Sequence, residues 1–269
     1  MSKTIGVLGC GWLGFPLAQA LLKDGYTVHG STTSEDKLES LDKAGITPFL
    51  IRLSPGGIEG DIQAFLRGVS ILVINVPPRL RGKEGENYLH KLEHLRVQVR
   101  ESGVKKIIFA SSTSVYGDQE GQLDENSPPS PQTESGRQLL AAENLFREDP
   151  DLRTTIIRFG GLIGEDRHPV SRLAGRTDLR NGHHPVNLIH QTDAVSLLQF
   201  IIHKDHWDVI INGVAPEHPT KQEYYRSEAL KRNLLPPEYQ PSAEGKPGKQ
   251  VDCKYFPYNT YVFLTSIFS

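Results

Sequence analysis

Seven short runs rich in aliphatic and β-branched residues recur along the chain: Thr4–Leu8, Thr27–Gly30, Thr47–Leu53, Ser70–Val76, Lys106–Ala110, Thr154–Phe159 and Val209–Asn212. Such runs, unbroken by polar alternation, suit strands covered on both faces. Between them the apolar positions switch to helical spacing. Leu13, Leu17, Ala20 and Leu21 share one face, and Tyr88, Leu92, Leu95 and Val99 share another. Leu139, Ala142 and Phe146 repeat the pattern. Thr192-Asp193 reads as the N-cap of a helix carrying Val195, Leu198 and Ile202. Strand–helix alternation of this kind predicts an α/β fold built on a doubly wound parallel sheet. Loops are expected over Gly117 to Glu134 and Gly164–Pro185, where Pro, Gly and charged residues replace the periodic pattern. We divide the chain into a core domain over 1–164 and a smaller C-terminal lobe over 165–269, with 187–214 returning to the sheet.

Composition narrows the function classes. The 269 residues carry 32 acidic and 30 basic side chains, a net charge of −2. A generally basic nucleic-acid footprint is absent. An apolar content of 37% is too high for a disordered chain. No apolar run approaches the roughly 18 residues of a membrane span. The two cysteines, Cys10 and Cys253, make neither a disulfide framework nor a structural zinc site by themselves. No signal-peptide segment precedes the first strand, which predicts a soluble, cytoplasmic protein with no nucleic-acid or membrane partner.

The first strand runs into Gly9-Cys10-Gly11-Trp12-Leu13-Gly14, a G-x-G-x-x-G motif that opens a helix. This strand–turn–helix context turns a weak glycine pattern into a dinucleotide-binding signal. Gly9 permits the tight turn, Gly11 lets a pyrophosphate approach the backbone, and Gly14 allows close helix–strand packing. The helix N-terminus adds free N–H groups and positive dipole for the anion. We therefore expect a Rossmann fold that binds NADP or NAD. NAD-specific sites place an acid about 20 residues further on, at the end of the second strand. Here that stretch reads His29-Gly30-Ser31-Thr32-Thr33 and holds no acid. The hydroxyls of Ser31, Thr32 and Thr33 are expected to meet a 2′-phosphate, with Lys37 nearby, so NADP is favoured. Val76 and Pro77, at the end of the fourth run, and Ser111, after the fifth, complete the expected cofactor edge.

Ser111-Ser112-Thr113-Ser114-Val115-Tyr116-Gly117 resembles the S-S-x-x-V-Y-G element of extended short-chain dehydrogenases/reductases. Ser135 to Glu143, Arg158 to Gly164 and Val186 to Asp193 resemble later segments of the same family. Gly11 to Gly14, Ser112 to Asp118, Ser135-Gly136-Arg137 and Arg167-His168-Pro169 resemble its atypical YeeZ-like branch, which is epimerase/dehydratase-like. The resemblance covers about residues 3–222 and weakens after Lys249. It implies an oxidoreductase whose Tyr-x-x-x-Lys pair is replaced by Ser135 and Leu139. A serine hydroxyl is too weak an acid to serve as a base near neutrality, and leucine cannot hold a ribose. Of the usual catalytic set only the carbonyl-polarising hydroxyl, Ser112, remains. Tyr116 is the expected substitute acid/base, with His168 and His190 as further titratable candidates. Three readings stay open: an oxidoreductase of atypical chemistry, a non-catalytic dinucleotide-binding sensor or scaffold, or a loop that binds some other nucleotide or cofactor.

Ser114, Arg137, Arg167 and His168 are the expected substrate contacts, with Arg79, Arg81 and Lys83 as neighbouring basic positions. Guanidinium groups suit phosphate or carboxylate, so an anionic, phosphorylated or nucleotide-linked sugar is the expected substrate. Cys10 lies beside a helix N-terminus, a place that can depress a thiol pKa, but the expected explanation is a small residue that fits the turn. His183-His184 has the wrong spacing for a metal pair, and no metal is expected. The Asn87–Arg100 and Arg137–Arg147 helices resemble a family dimer face, which implies a homodimer.

Overall fold

The computed structural model describes residues 3–78, 87–241, 247–256 and 261–268. Each apolar run becomes a strand of one sheet: β1 (Thr4–Leu8), β2 (Thr27–Thr32), β3 (Thr47–Leu50), β4 (Val69–Ile74), β5 (Lys106–Ser112), β6 (Arg153–Phe159) and β7 (Ile210–Gly213). The third run is longer than its strand. β3 stops at Leu50, and Arg52–Ser54 instead pairs antiparallel with Gly57–Glu59 as a separate hairpin. The sheet order is β7-β6-β5-β4-β1-β2-β3, and all neighbours are parallel. Strand order reverses between β1 and β4, and at such a switch point open α/β sheets bind their ligands in a crevice outside the carboxyl ends of the strands.

Helices cover both faces. On one, α1 (Gly14–Lys23), α2 (Leu38–Lys43) and a later helix, α7 (Gln191–Lys204), bury Leu13, Leu17, Leu21, Leu41, Leu198 and Ile201 against Ile5, Val7, Val73 and Ile157. On the other, α3 (Ile62–Leu66), α4 (Tyr88–Ser102) and α5 (Glu134–Arg147) pack Phe65, Leu92, Leu95, Leu139 and Phe146 on Leu72, Ile107 and Phe109. The two buried faces explain the unbroken apolar character of the strands. α4 and α5 lie side by side within the chain.

A third, smaller core lies past the sheet, between α6 (Val170–Leu173), α8 (Lys221–Lys231) and the parallel pair Gly161–Ile163 and Leu188–His190. Ile163, Val170, Leu188, Tyr224, Ala229 and Ile267 fill it. The C-terminal tail then turns back onto the main core. Phe256 and Tyr261 meet Phe200 edge-on, and the buried Asp193 carboxylate accepts N–H bonds from Leu264 at 2.5 Å and Thr265 at 3.0 Å. This corrects the expected Asp193 cap. The N-cap of α7 is His190, whose Nδ1 accepts the Thr192 N–H at 3.2 Å, and Asp193 anchors the tail instead. No helix among the described residues is long and apolar enough to cross a membrane.

Candidate functional site

The glycine loop lies at the β1–β4 crevice and is braced from both neighbouring strand ends. Gly9 takes φ +103°, a conformation that L side chains rarely adopt, and its N–H donates to Ser31 Oγ at 2.9 Å. Its carbonyl accepts from Asn75 Nδ2 at 3.0 Å. A Cβ on Gly14 would lie 2.2 Å from Gly9 O, so helix and loop can approach this closely only without a side chain there. Gly11 is the opposite case: it is exposed, with nothing within 4 Å of where its Cβ would be. Leu13 caps α1 with no side-chain hydrogen bond, and the N–H groups of Gly11, Trp12 and Leu13 have no acceptor among the described residues. An open approach lined by unpaired N–H groups at a helix N-terminus fits the pyrophosphate of a dinucleotide.

The side chains at this loop are already committed. Leu13 is core. Trp12 Nε1 donates to Asp166 Oδ1 at 2.8 Å, and the Arg167 guanidinium lies 5.0 Å from the Trp12 ring centroid. Gln191 Nε2 donates to Trp12 O at 2.6 Å. Leu13 can therefore offer a cofactor only its backbone N–H group, and the Trp12 indole N–H is already taken. Arg167, expected at the substrate, stacks instead over the glycine loop. Cys10 is buried with its thiol against Val7 O, and burial pushes its pKa up to about 12. A buried, protonated thiol fits the expected reading of Cys10 as a small residue that suits this turn.

The hydroxyls at the end of β2 also face inwards. Ser31 serves Gly9, and Thr32 Oγ1 accepts the Ser34 N–H at 3.2 Å. Both residues are buried and only Thr33 is exposed, which corrects the expectation that all three meet a phosphate. Next to Thr33 stands a residue that no local pattern singles out. Arg52 Nη2 donates to Thr33 O at 3.3 Å. Past β4, Val76 is half-buried and its carbonyl accepts the Tyr88 hydroxyl at 2.7 Å, while Pro77 is exposed. Arg79, Arg81 and Lys83 lie outside the described residues.

At the end of β5, Ser112 Oγ accepts the Ser114 N–H at 3.1 Å, which leaves the Ser112 hydroxyl proton free to donate. Ser114 is exposed, and Ser135 is half-buried in the first turn of α5. Ser111 faces away from the edge. Its hydroxyl donates to Glu143 Oε1 at 2.5 Å inside a buried network. There Arg158 Nη2 donates to Glu143 Oε2 at 2.7 Å and Arg158 Nη1 to the Tyr116 oxygen at 3.0 Å. Tyr116 Oη lies 3.0 Å from both Asp124 O and Asn212 Oδ1. Ser111 and Tyr116 are thus corrected: both are internal struts. Tyr116 is fully buried, and burial raises its pKa against the pull of Arg158, so it cannot act as a base near neutrality.

The remaining substrate candidates are dispersed. Arg137 is exposed, with Nε bonded to Glu134 Oε2 at 3.0 Å and Nη1 to Gln132 O at 2.9 Å. His168 lies inside the small core. Its Nδ1 accepts from Val170 N–H at 3.2 Å, and Nε2 bonds the Tyr224 oxygen at 2.9 Å. Burial, reinforced by Arg232, holds its pKa down to about 4. His168 is therefore corrected from substrate contact to neutral core residue. Leu139, which the resemblance sets at the family's lysine position, is 3% exposed and belongs to the apolar cluster under α5. A lysine does reach this turn, but from the far end of the chain: Lys249 Nζ donates to Gly117 O at 2.7 Å and Thr113 O at 3.2 Å. Desolvation lowers its pKa. Among the described residues no group of three or more His, Cys, Asp or Glu could hold a metal ion.

Three comparisons bear on this geometry. The sequence pattern of the NAD(P)H-binding family matches residues 9–189. Protein YeeZ of Escherichia coli (strain K12) is 36% identical over 251 residues, 93% of this chain and 91% of that protein. Among solved structures, MoeE5 in complex with UDP-glucose and NAD superposes with TM-score 0.75 at 22% identity, over 94% of this chain and 90% of that one. UDP-glucuronic acid 4-epimerase from Bacillus cereus in complex with NAD gives TM-score 0.77 at 18% identity, over 93% and 88%.

Proposed function

The chain belongs to the NAD(P)H-binding family, in the YeeZ-like branch of atypical extended short-chain dehydrogenases/reductases, and from that premise we propose an epimerase/dehydratase-like oxidoreductase acting on an anionic small molecule. The observation that carries the proposal is the glycine loop, open at Gly11 and lined by unpaired N–H groups at the β1–β4 crevice. NADP(H) is the favoured cofactor because no acid stands at the end of β2. The substrate class, a nucleotide-linked or phosphorylated sugar, is supported by the fold shared with MoeE5, solved with UDP-glucose and NAD.

When bound, the nicotinamide supplies hydride transfer. The residues of this chain supply less than the family's usual set. Ser112 has a free hydroxyl proton to offer a substrate oxygen, and Ser135 adds a second hydroxyl on α5. Glycine-loop N–H groups, with the Arg167 charge over the Trp12 ring, would hold the pyrophosphate of the cofactor. The second reading, a sensor or scaffold that binds without turnover, is favoured by one observation: Tyr116 and His168 are both buried in other roles. The pair α4 and α5 is the face we assign to a homodimer, which light scattering would read as twice the monomer mass.

Calorimetric titration with NADPH, NADH, NADP⁺ and NAD⁺ tests the cofactor. Micromolar binding of at least one is expected, and binding of none overturns the oxidoreductase reading. Incubation with UDP-glucose and UDP-glucuronate, following the absorbance of the reduced cofactor and product sugars, then separates the two readings. Turnover supports the enzyme. Tight cofactor binding without turnover across a broad set of anionic sugars supports the sensor.

A further inference from the structure

We propose that Arg52 is the residue that reads the 2′-phosphate of NADP(H). The assignment rests on the dinucleotide reading above and adds which residue selects the cofactor form. Three observations lead to it.

The first is position. In NAD-specific sites the ribose 2′-OH is gripped about 20 residues past the glycine loop, at the end of the second strand. Here that place is Thr32-Thr33. Because β3 runs parallel beside β2, the Ile51 N–H donates to Thr32 O at 2.9 Å, and the next residue, Arg52, lies against Thr33 O at 3.3 Å. A guanidinium thus occupies the edge where an acid would stand in an NAD-specific site.

The second is that the hydroxyl alternatives are spent. Ser31 and Thr32 are buried, with their hydroxyls bonded to Gly9 and Ser34. Lys37 lies on the next turn with the exposed acids Glu35 and Asp36 beside it. Of the groups on β2 and the hairpin after β3, Arg52 alone brings a positive charge to Thr33.

The third is that Arg52 is available. Its Nη1 donates to Glu59 Oε2 at 3.2 Å across the hairpin, but the two side chains are 58% and 66% exposed. An ion pair this exposed is weak and exchanges readily. A guanidinium has five donors in a planar fork, and the Thr33 and Glu59 bonds account for two. A phosphate dianion can therefore bind with or without displacing Glu59. Glu59 is the competitor for the same charge.

The test is calorimetric titration of the full chain and its Arg52→Ala, Arg52→Lys and Glu59→Gln variants with NADPH and NADH, at two salt concentrations. Wild type is expected to bind NADPH more tightly than NADH. Arg52→Ala should weaken NADPH by about tenfold or more and leave NADH within about twofold, with a shallower salt dependence for NADPH. Arg52→Lys should retain part of the preference, since the charge stays while the fork is lost. Glu59→Gln should tighten NADPH. Equal losses for both nucleotides in Arg52→Ala overturn the assignment and leave Arg52 a brace for the loop. Tighter NADH than NADPH in wild type, or a loss of NADH affinity in Glu59→Gln, also overturns it and gives the ribose to Glu59. If wild type binds neither nucleotide, the dinucleotide reading falls, and this one with it.

Discussion

Ser31 accepts the Gly9 N–H at 2.9 Å, so the end of β2 holds the glycine loop of β1 in place through one serine hydroxyl. The backbone closes the same junction, where Cys10 N–H donates to Ser31 O at 2.7 Å. Ser31→Ala removes the acceptor and leaves a half-buried N–H without a partner. We expect a stability loss of about 1 kcal/mol in urea denaturation. NADPH and NADH should weaken alike, because the loop and not the 2′-phosphate loses support. A selective loss of NADPH in calorimetry would return Ser31 to the phosphate.

Gly14 and Gly11 should separate folding from binding. A Cβ at Gly14 meets the Gly9 carbonyl at 2.2 Å, so Gly14→Ala must displace backbone. The expected cost is about 1–3 kcal/mol, with loss of dinucleotide binding. Gly11→Ala meets nothing within 4 Å and should leave the unfolding midpoint unchanged. Its methyl group enters the open approach and should still weaken the dinucleotide. Thermal unfolding and calorimetry on the two variants give the comparison.

Glu143 and Arg158 form a buried ion pair, with 1% and 2% of their side chains exposed. Glu143→Ala strands the Arg158 charge and should cost about 3–5 kcal/mol in denaturant unfolding. The double variant Glu143→Leu with Arg158→Met removes both charges and should recover much of that loss. Failure of the double variant to recover any stability would assign the loss to the Ser111 and Tyr116 bonds instead.

His168 should make stability fall in mild acid. Its pKa is held near 4 in the fold, below the 6.5 of an unperturbed histidine. Between those values the unfolded chain binds the proton and the folded chain does not, so unfolding gains protons as pH drops. The His168 contribution is fully present above about pH 6.5 and is lost as pH falls towards 4. Urea midpoints of wild type and His168→Gln across that window should converge as the pH drops. Parallel curves would remove His168 as the cause.

Much of the cofactor edge was legible because it is local. Gly9 to Gly14 act through their own backbone conformation, so six consecutive residues announce the turn. Leu17, Leu21, Leu92 and Phe146 announce their helices through spacing alone. Ser111 and Ser112 show where that legibility ends. They are neighbours on one strand and face opposite ways, so only one reaches the edge while the other bonds Glu143. Tyr116 fails for a related reason. Its position after β5 was right, but its hydroxyl turns inward to Arg158 and Asn212, which are remote in sequence.

By itself the sequence determined the seven strands of the main sheet, the doubly wound class and the glycine loop. These follow from period, glycine placement and residue identity, which are properties of short segments. Tertiary structure alone decided what the polar side chains do. Arg52 reaches Thr33 because β3 lies beside β2, and Arg167 reaches Trp12 because the turn after β6 folds over the first loop. Lys249 reaches Gly117, and Asp193 receives the tail, across long stretches of intervening chain. A buried charge or hydroxyl must find a partner wherever the fold brings one, and no local pattern encodes a partner that distant.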